Sequence, residues 1–140
     1  MTEEHLRRIE TELRVSLPED YRALLLNFPF RPPGNDRVYW LYDDPDRVIE
    51  ATRFPLYGYY EGPDLGPRYL SIGQTAMGDQ YVLDLARTPS PVLCLSHETH
   101  EFEEDYPDLA AFVAGWHREV ALAGEQAAVR ERARKWWKFW

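Results

Sequence analysis

The sequence has a single cysteine, Cys94, among its 140 residues. An intrachain disulfide and a cysteine metal cluster are therefore both excluded. Long hydrophobic runs are also missing, because no window approaches the about 18 consecutive apolar residues of a membrane-spanning helix. The first residues, MTEEH, are acidic and carry no apolar stretch, so no secretory signal is expected. These absences favour a cytoplasmic protein.

Basic residues are scarce relative to acidic ones. The chain carries 16 Lys and Arg against 24 Asp and Glu, a net charge of −8. Residues 1–123 hold 11 of the basic and 22 of the acidic side chains, whereas residues 124–140 carry five basic and two acidic ones. An acidic body repels nucleic acid and attracts basic proteins, although solubility alone also accounts for such a charge. We expect neither nucleic acid nor a membrane as partner.

Apolar residues recur at helical spacing in the first part of the chain. Residues 3–14 predict an amphipathic helix with Thr2 as its N-cap. Residues 17–28 predict a second helix, with Ser16 and Glu19 spaced as a capping box. The sequence then favours a strand over 38–42, a short helix over 43–53 that is capped by Asp44, and irregular chain or an edge strand over 54–67.

The second half of the chain is rich in short strands. Alternating or apolar runs predict strands over 68–73, 80–85, 91–96 and 100–104, followed by a helix over 106–122. Helical propensity resumes after Gly124, which we expect to end or bend the helix. The pattern predicts an α+β fold, a mostly antiparallel twisted sheet with helices packed on one face. We expect one domain over 1–123 and a basic, aromatic helix over 124–140 that packs on it.

The stretch GQTAMGDQ, residues 73–80, has the glycine spacing of a phosphate-binding loop. Such a loop needs a Lys followed by Ser or Thr, and a helix behind it. Here Asp79 and Gln80 occupy those positions, and the following residues alternate as a strand. The stretch is better explained as a hairpin connection in which Gly78 supplies a positive φ.

Three other groups of residues could suggest chemistry. His97 and His100 lie three apart in HETHE, whereas the metalloprotease helix motif needs a spacing of four. Cys94 lies inside the buried-strand pattern VLCL, where thiols are usually inert. Asp43, Asp44 and Asp46 do not have calcium-loop spacing, and Pro45 as a helix start explains them better. We predict no catalytic residue, no metal site and no cofactor, and keep a small metal-dependent hydrolase using His97 and His100 as a remote alternative.

Three segments in order resemble the SMI1/KNR4 domain of the SUKH superfamily. They are LPEDYRALLLNF (17–28), YLSIGQTAMGDQYVLDL (69–85) and PVLCLSHETHEFEEDYPDLAAFV (91–113). The residues that carry the resemblance are Pro18, Tyr21, Gly73, Gly78, Asp79 and Asp84. The chain departs from the family pattern at NFPFRPPGND, where Asn-Gly-Gly is common, and residues 54–67 and those beyond 120 find no clear match.

The resemblance implies a non-catalytic protein-binding module. Bacterial members are largely cytoplasmic immunity proteins that neutralise a toxin, often a nuclease, whereas eukaryotic relatives act in scaffolding and regulation. A basic toxin domain is thus the expected partner, and a housekeeping partner is the alternative. We expect binding through an acidic surface that comprises Asp43, Asp44, Asp46, Glu98, Glu101, Glu103, Glu104 and Asp105.

The C-terminal residues mix cations and aromatic rings. Trp136, Trp137, Phe139 and Trp140 form a candidate interaction tail. Packing of this stripe on its own domain competes with a partner or dimer contact, with a membrane anchor and with nucleic-acid stacking. The acidic body argues against the last two. Monomer and dimer both stay open.

Overall fold

The computed structural model describes residues 1–28, 39–57, 60–61, 64–75 and 77–137. Within these residues, helices and strands follow in the order α1 (Glu3–Leu13), α2 (Glu19–Leu26), β1 (Tyr39–Leu41), α3 (Pro45–Arg53), β2 (Leu56–Tyr57), β3 (Tyr60–Glu61), β4 (Tyr69–Thr75), β5 (Gln80–Asp84), β6 (Val92–Leu95), β7 (Phe102–Tyr106) and α4 (Leu109–Trp137).

The main sheet has five strands in the order β1-β4-β5-β6-β7. All neighbouring strands run antiparallel, and β4 to β7 form the predicted meander. Among the described strands, β1 and β7 are therefore its two edges. A separate pair, β2 with β3, lies in the segment predicted as irregular chain or an edge strand. The α+β prediction is confirmed.

Helix α1 begins where its sequence predicts. The Thr2 hydroxyl accepts a hydrogen bond from the His5 N–H at 3.3 Å, which satisfies one of the unpaired donors of the first turn. Leu6, Ile9 and Leu13, which share one helical face, are all buried. The amphipathic pattern is therefore confirmed, because the apolar face of α1 packs into the core.

Helix α2 begins differently from the prediction. Its N-cap is Pro18, with no side-chain capping bond, so the predicted capping box of Ser16 and Glu19 is wrong. The Leu17 N–H donates instead to the Glu10 carboxylate of α1 at 3.0 Å, and Arg22 of α2 contacts the same carboxylate at 2.9 Å. Contacts with α1, and not a side-chain cap, therefore hold the start of α2.

Helix α3 joins the N-terminal helices to the sheet. Asp44 caps it by accepting from the Asp46 N–H at 2.9 Å, as predicted. The helix packs on both α1 and β4. Buried Thr52 accepts a hydrogen bond from the Ser71 N–H of β4 at 3.0 Å. Because the Thr52 hydroxyl satisfies a main-chain N–H of β4, this bond holds α3 against the strand.

The chain divides into two compact units, Met1–Leu109 and Ala110–Trp140. Helix α4 runs through Gly124 without interruption, so the predicted end at that residue is wrong, whereas a bend there stays a prediction. One glycine inside a helix costs only about 1 kcal/mol relative to alanine, and the residues around Gly124 are mostly strong helix formers. The packing of 124–140 on the domain stays a prediction.

Candidate partner-binding surface

Strand β7 carries the predicted acids on the open side of the sheet. It pairs with β6 alone among the described strands. Phe102, Glu103, Glu104 and Asp105 are all exposed, and Tyr106 is half-buried. A charged edge of this kind blocks uncontrolled pairing with other strands. The same edge presents negative charge to whatever approaches the protein.

An aromatic side chain accompanies these acids. Phe102 is 39% exposed, and its ring stacks on that of Tyr69 with 4.5 Å between the ring centroids. Tyr69 in turn packs against the buried cluster of Leu65, Val82 and Leu95. The exposed ring of Phe102 is therefore held in place by the core. Neither its exposure nor its stacking could be read from the sequence.

The turn before β7 positions two more of the predicted acids, Glu98 and Glu101. The Ser96 hydroxyl accepts from the N–H groups of Glu98 and Thr99, both at 3.2 Å. The Ser96 N–H donates to the Glu101 carbonyl at 3.0 Å and closes the turn. Both glutamate side chains are exposed at the start of the edge strand. We call Glu98, Glu101, Glu103, Glu104 and Asp105 the β7 surface.

One side-chain contact connects this turn to the stretch GQTAMGDQ. The Asp79 carboxylate lies 2.6 Å from His97 Nδ1 and also accepts from the His97 N–H at 3.0 Å. Burial alone would raise the pKa of Asp79, but the hydrogen bonds from His97 outweigh it and hold that pKa below its usual value. The antiparallel meander brings the β4–β5 and β6–β7 turns to the same end of the sheet, which is the signal that could have predicted this contact.

The stretch GQTAMGDQ is a hairpin connection, as predicted. Gly78 has φ 97°, a conformation that favours glycine, and strand β5 rather than a helix follows it. The Thr75 N–H donates to the Asp79 carbonyl at 2.8 Å. A phosphate loop would need free N–H groups at a helix start. Here Asp79 instead places a carboxylate in the turn.

The other resemblance residues occupy structural positions. Asp84 is buried and accepts from both Arg68 Nε and Arg68 Nη2 at 3.2 Å. Burial would raise its pKa, but Arg68 and the Ala86 N–H more than offset this and lower it. Gly73 follows a register shift in β4, and Tyr21 is buried in α2. These positions shape the fold of the domain.

The predicted acids do not form one continuous surface. Asp43, Asp44 and Asp46 follow edge strand β1, and Asp46 pairs with Arg8 of α1. Strands β1 and β7 are separated by four interstrand steps, which amounts to about 19 Å at ordinary spacing. The two acidic groups therefore lie at opposite edges of the sheet. Sequence reasoning could not see this, because strand order is not written in the chain order.

Little in the structure resembles a catalytic centre. In the described part of the chain, no group of three or more His, Cys, Asp and Glu side chains could hold a metal ion. His97 faces Asp79, while His100 lies in the turn with φ 61°. Burial and the nearby carboxylates raise the pKa of the Cys94 thiol to about 11, so the thiol is protonated and unreactive at neutral pH.

The candidate interaction tail lies largely outside the described residues. Helix α4 includes the backbone of Trp136 and Trp137, but their side chains are not described. Phe139 and Trp140 fall outside the described ranges altogether. The tail stays a prediction.

The comparisons with known proteins agree with the fold. No described helix combines the length and the apolar character needed to cross a membrane. No curated protein and no solved structure is significantly similar to the chain. Residues 1–115, well over half of the sequence, match the profile of the SMI1 / KNR4 family (SUKH-1), which confirms the resemblance drawn from the motifs. The chain belongs to the SMI1/KNR4 family.

Proposed function

We propose that this protein neutralises a basic, nuclease-type toxin by stoichiometric binding through the β7 surface. SMI1/KNR4 domains bind protein partners and are generally non-catalytic immunity modules. The observation that carries the proposal is the exposure of the five acidic residues of the β7 surface and of Phe102 around one edge strand. This region combines the strongest local charge of the sheet with an apolar side chain.

The physical basis is electrostatic complementarity. A nuclease holds its phosphates with Lys and Arg, so its binding face is basic. Residues 1–123 carry 11 basic and 22 acidic side chains, which attracts such a face over long range and speeds association. Local contacts then decide specificity. The Arg87–Glu104 pair, at 3.1 Å, is exposed on both sides and gives up little energy when Glu104 turns to a partner cation.

The second acidic group has a separate place in the proposal. Asp43, Asp44 and Asp46 lie at the β1 edge, so they contact a different part of the toxin from the β7 surface. Asp44 already caps α3, and Asp46 already contacts Arg8. We therefore expect their contribution to binding to be smaller than that of the β7 surface.

The test is protection of bacterial cells that express a nuclease domain, taken from any toxin gene found next to the gene of this protein. Wild-type protein should restore growth and form a one-to-one complex in light scattering. The triple variant Glu101→Lys, Glu103→Lys, Glu104→Lys should lose protection. The matched control, Glu4→Lys, Glu19→Lys, Glu50→Lys, makes the same change in net charge at exposed helical positions and should protect.

The outcomes separate the surface from the function. Full protection by the β7 triple variant would show that another surface binds the toxin. Failure of wild-type protein to bind the nuclease domain would contradict the toxin-binding function itself. Loss of protection by both triple variants would show that net charge matters and that the β7 surface is not special.

A scaffold or regulatory role is the second candidate. It is supported by helix α4, where Val129 is 56% exposed among charged neighbours. An exposed apolar residue on a charged helix is a candidate contact for a protein partner. On this view Val129→Asp abolishes capture of the partner, whereas charge reversal on the β7 surface leaves it intact.

A further inference from the structure

We propose that the outer edge of β7 binds a basic, extended segment of the partner protein by main-chain pairing. The segment would add a sixth strand to the five-stranded sheet, next to Phe102–Glu104. This inference rests on the proposed function, because it specifies how the β7 surface holds its partner. It goes further in naming backbone hydrogen bonds, not only charge, as the source of affinity.

The hydrogen-bond pattern of the β6–β7 pair indicates which groups face outward. The Ser96 N–H donates to the Glu101 carbonyl, and the register then pairs Leu95 with Phe102 and Cys94 with Glu103. In an antiparallel ladder, hydrogen-bonded and non-hydrogen-bonded pairs alternate. Glu103 therefore directs its N–H and C=O toward β6, whereas Phe102 and Glu104 direct theirs toward the outer edge.

The outer edge is accessible for such pairing. Phe102, Glu103 and Glu104 are all exposed, and no other strand among the described residues pairs with β7 on that side. An edge strand with outward N–H and C=O groups is a template for another chain. The outward groups of Phe102 and Glu104 would bond to every second residue of an incoming strand.

The side chains select the charge of the incoming strand. Glu104 lies on the same face of the sheet as Phe102, whereas Glu103 lies on the opposite face, so acids flank the edge on both sides. A second copy of β7 would bring like charges into cross-strand contact, which is destabilising. A strand with Lys or Arg on the face of Phe102 and Glu104 would instead bring opposite charges to Glu104. The acids thus exclude self-pairing and favour a basic occupant.

Phe102 adds an apolar contact to this edge. Its ring is fixed by stacking on Tyr69 and keeps 39% of its surface exposed. The aliphatic stem of a Lys or Arg opposite Phe102 can cover the ring while the charged end reaches Glu104. An occupant that alternates basic and β-branched residues therefore fits the edge best.

The experiment is NMR titration of the full ¹⁵N-labelled chain with a capped peptide of about eight residues that alternates Lys and Val. We expect shift changes centred on the amides of Phe102 and Glu104. A second peptide carries an N-methyl group on every residue, which removes the donors of both its edges and keeps its charge. It should bind about tenfold more weakly or worse, because each lost backbone pairing reduces affinity.

Two protein variants provide the matched comparison. Glu104→Pro removes an outward N–H and no bond to β6, whereas Glu104→Gln removes the same charge and keeps the N–H. The Pro variant should lose peptide binding, and the Gln variant should lose only part of it. Unchanged amide shifts in β5 verify that the sheet is intact. The methylated peptide on wild-type protein tests the pairing even where the Pro variant does not fold.

Specific results would overturn the inference. Absence of shifts at β7 with millimolar peptide, equal binding of the methylated peptide, or equal binding by a peptide alternating Glu and Val would each contradict it. These results are distinct from failure of the proposed function. A nuclease domain that binds wild-type and Glu104→Pro protein equally would refute strand pairing and keep toxin binding. A wild-type protein that binds the basic peptide but not the nuclease domain would refute toxin binding and keep strand pairing.

Discussion

Strands β5 and β7 belong to one sheet and are separated only by β6, yet their surroundings are opposite. All five residues of β5, QYVLD, are buried, whereas four of the five in β7, FEEDY, are exposed. Strand β5 has a neighbour on each side, and β7 has one among the described strands. The comparison shows how a single sheet separates burial from charge: the centre carries the core, and the edge carries the exposed acids.

The two strands also treat their polar residues differently. In β5, buried Gln80 contacts the Ser71 hydroxyl at 3.4 Å, and buried Asp84 is bound by Arg68. A buried polar group without a hydrogen-bond partner would destabilise the fold. These bonds therefore allow Gln80 and Asp84 to be buried. In β7, Glu103 is solvated and needs no such bond. Its carboxylate is available for a partner at little cost to the fold.

The largest expected effect comes from truncating the centre of the sheet. Leu83→Ala in β5 removes a side chain that is 1% exposed. We expect the free energy of unfolding to fall by about 2–5 kcal/mol, through lost burial and the cavity left behind. Urea denaturation followed by circular dichroism would measure it. A loss below about 1 kcal/mol would contradict the view that β5 forms the core of the sheet.

An intermediate effect is expected at the end of β5. Asp84→Asn keeps the shape of the side chain and removes the charge that Arg68 binds. We expect a loss of about 1–3 kcal/mol in the free energy of unfolding at pH 7. Thermal or urea unfolding of both proteins would give the difference, with Asp64→Asn, an exposed aspartate, as the control.

The same variant has a defined pH dependence. The folded-state pKa of Asp84 lies below its ordinary value of 3.8. Its ionised form therefore stabilises the fold above that value, and this stabilisation is lost as the pH falls through the folded-state pKa. The stability difference between wild type and Asp84→Asn should accordingly shrink in acid and stay constant near neutrality. A difference that grows in acid would refute the assigned pairing.

The smallest effect on stability is expected at the edge. Glu103→Gln in β7 should change the free energy of unfolding by less than about 0.5 kcal/mol, because an exposed side chain gives up little on substitution. Urea denaturation of this variant and of Leu83→Ala under the same conditions would compare the two changes in free energy of unfolding. A change above about 1 kcal/mol would show that Glu103 stabilises the sheet. It would contradict the view that the centre of the sheet contributes much more to stability than its edge.

Local sequence signals predicted most of the elements. Thr2 and Asp44 cap α1 and α3 because their side-chain oxygens reach N–H groups only two or three residues away. Gly78 supplies the positive φ of its turn for an equally local reason. Elements whose start depends on neighbouring residues can be read from a sequence, since no distant partner is involved.

The features that the sequence did not predict correctly depend on contacts with distant residues or on the summed preferences of many residues. The predicted capping box of α2 fails because Pro18, and not Ser16, is the N-cap of the helix. The Glu10 carboxylate of α1 binds Leu17 and Arg22 at this helix start. Gly124 does not end α4, because the many favourable neighbours outweigh one glycine. The Asp79–His97 contact joins two turns that lie 18 residues apart in sequence. Each outcome depends on which groups the fold brings together.

The sequence by itself determined the family, the α+β class, the acidic charge and the absence of a phosphate loop. The family follows from three motifs in the right order, whereas the other properties depend on composition, periodicity and short-range turn chemistry, which act between near neighbours in the chain. Only the tertiary structure decided that β7 is an edge and β5 a centre among the described strands, and that β1 and β7 are about 19 Å apart across the sheet. Strand order decides which main-chain groups stay unpaired, and it arises from long-range pairing that no local pattern encodes.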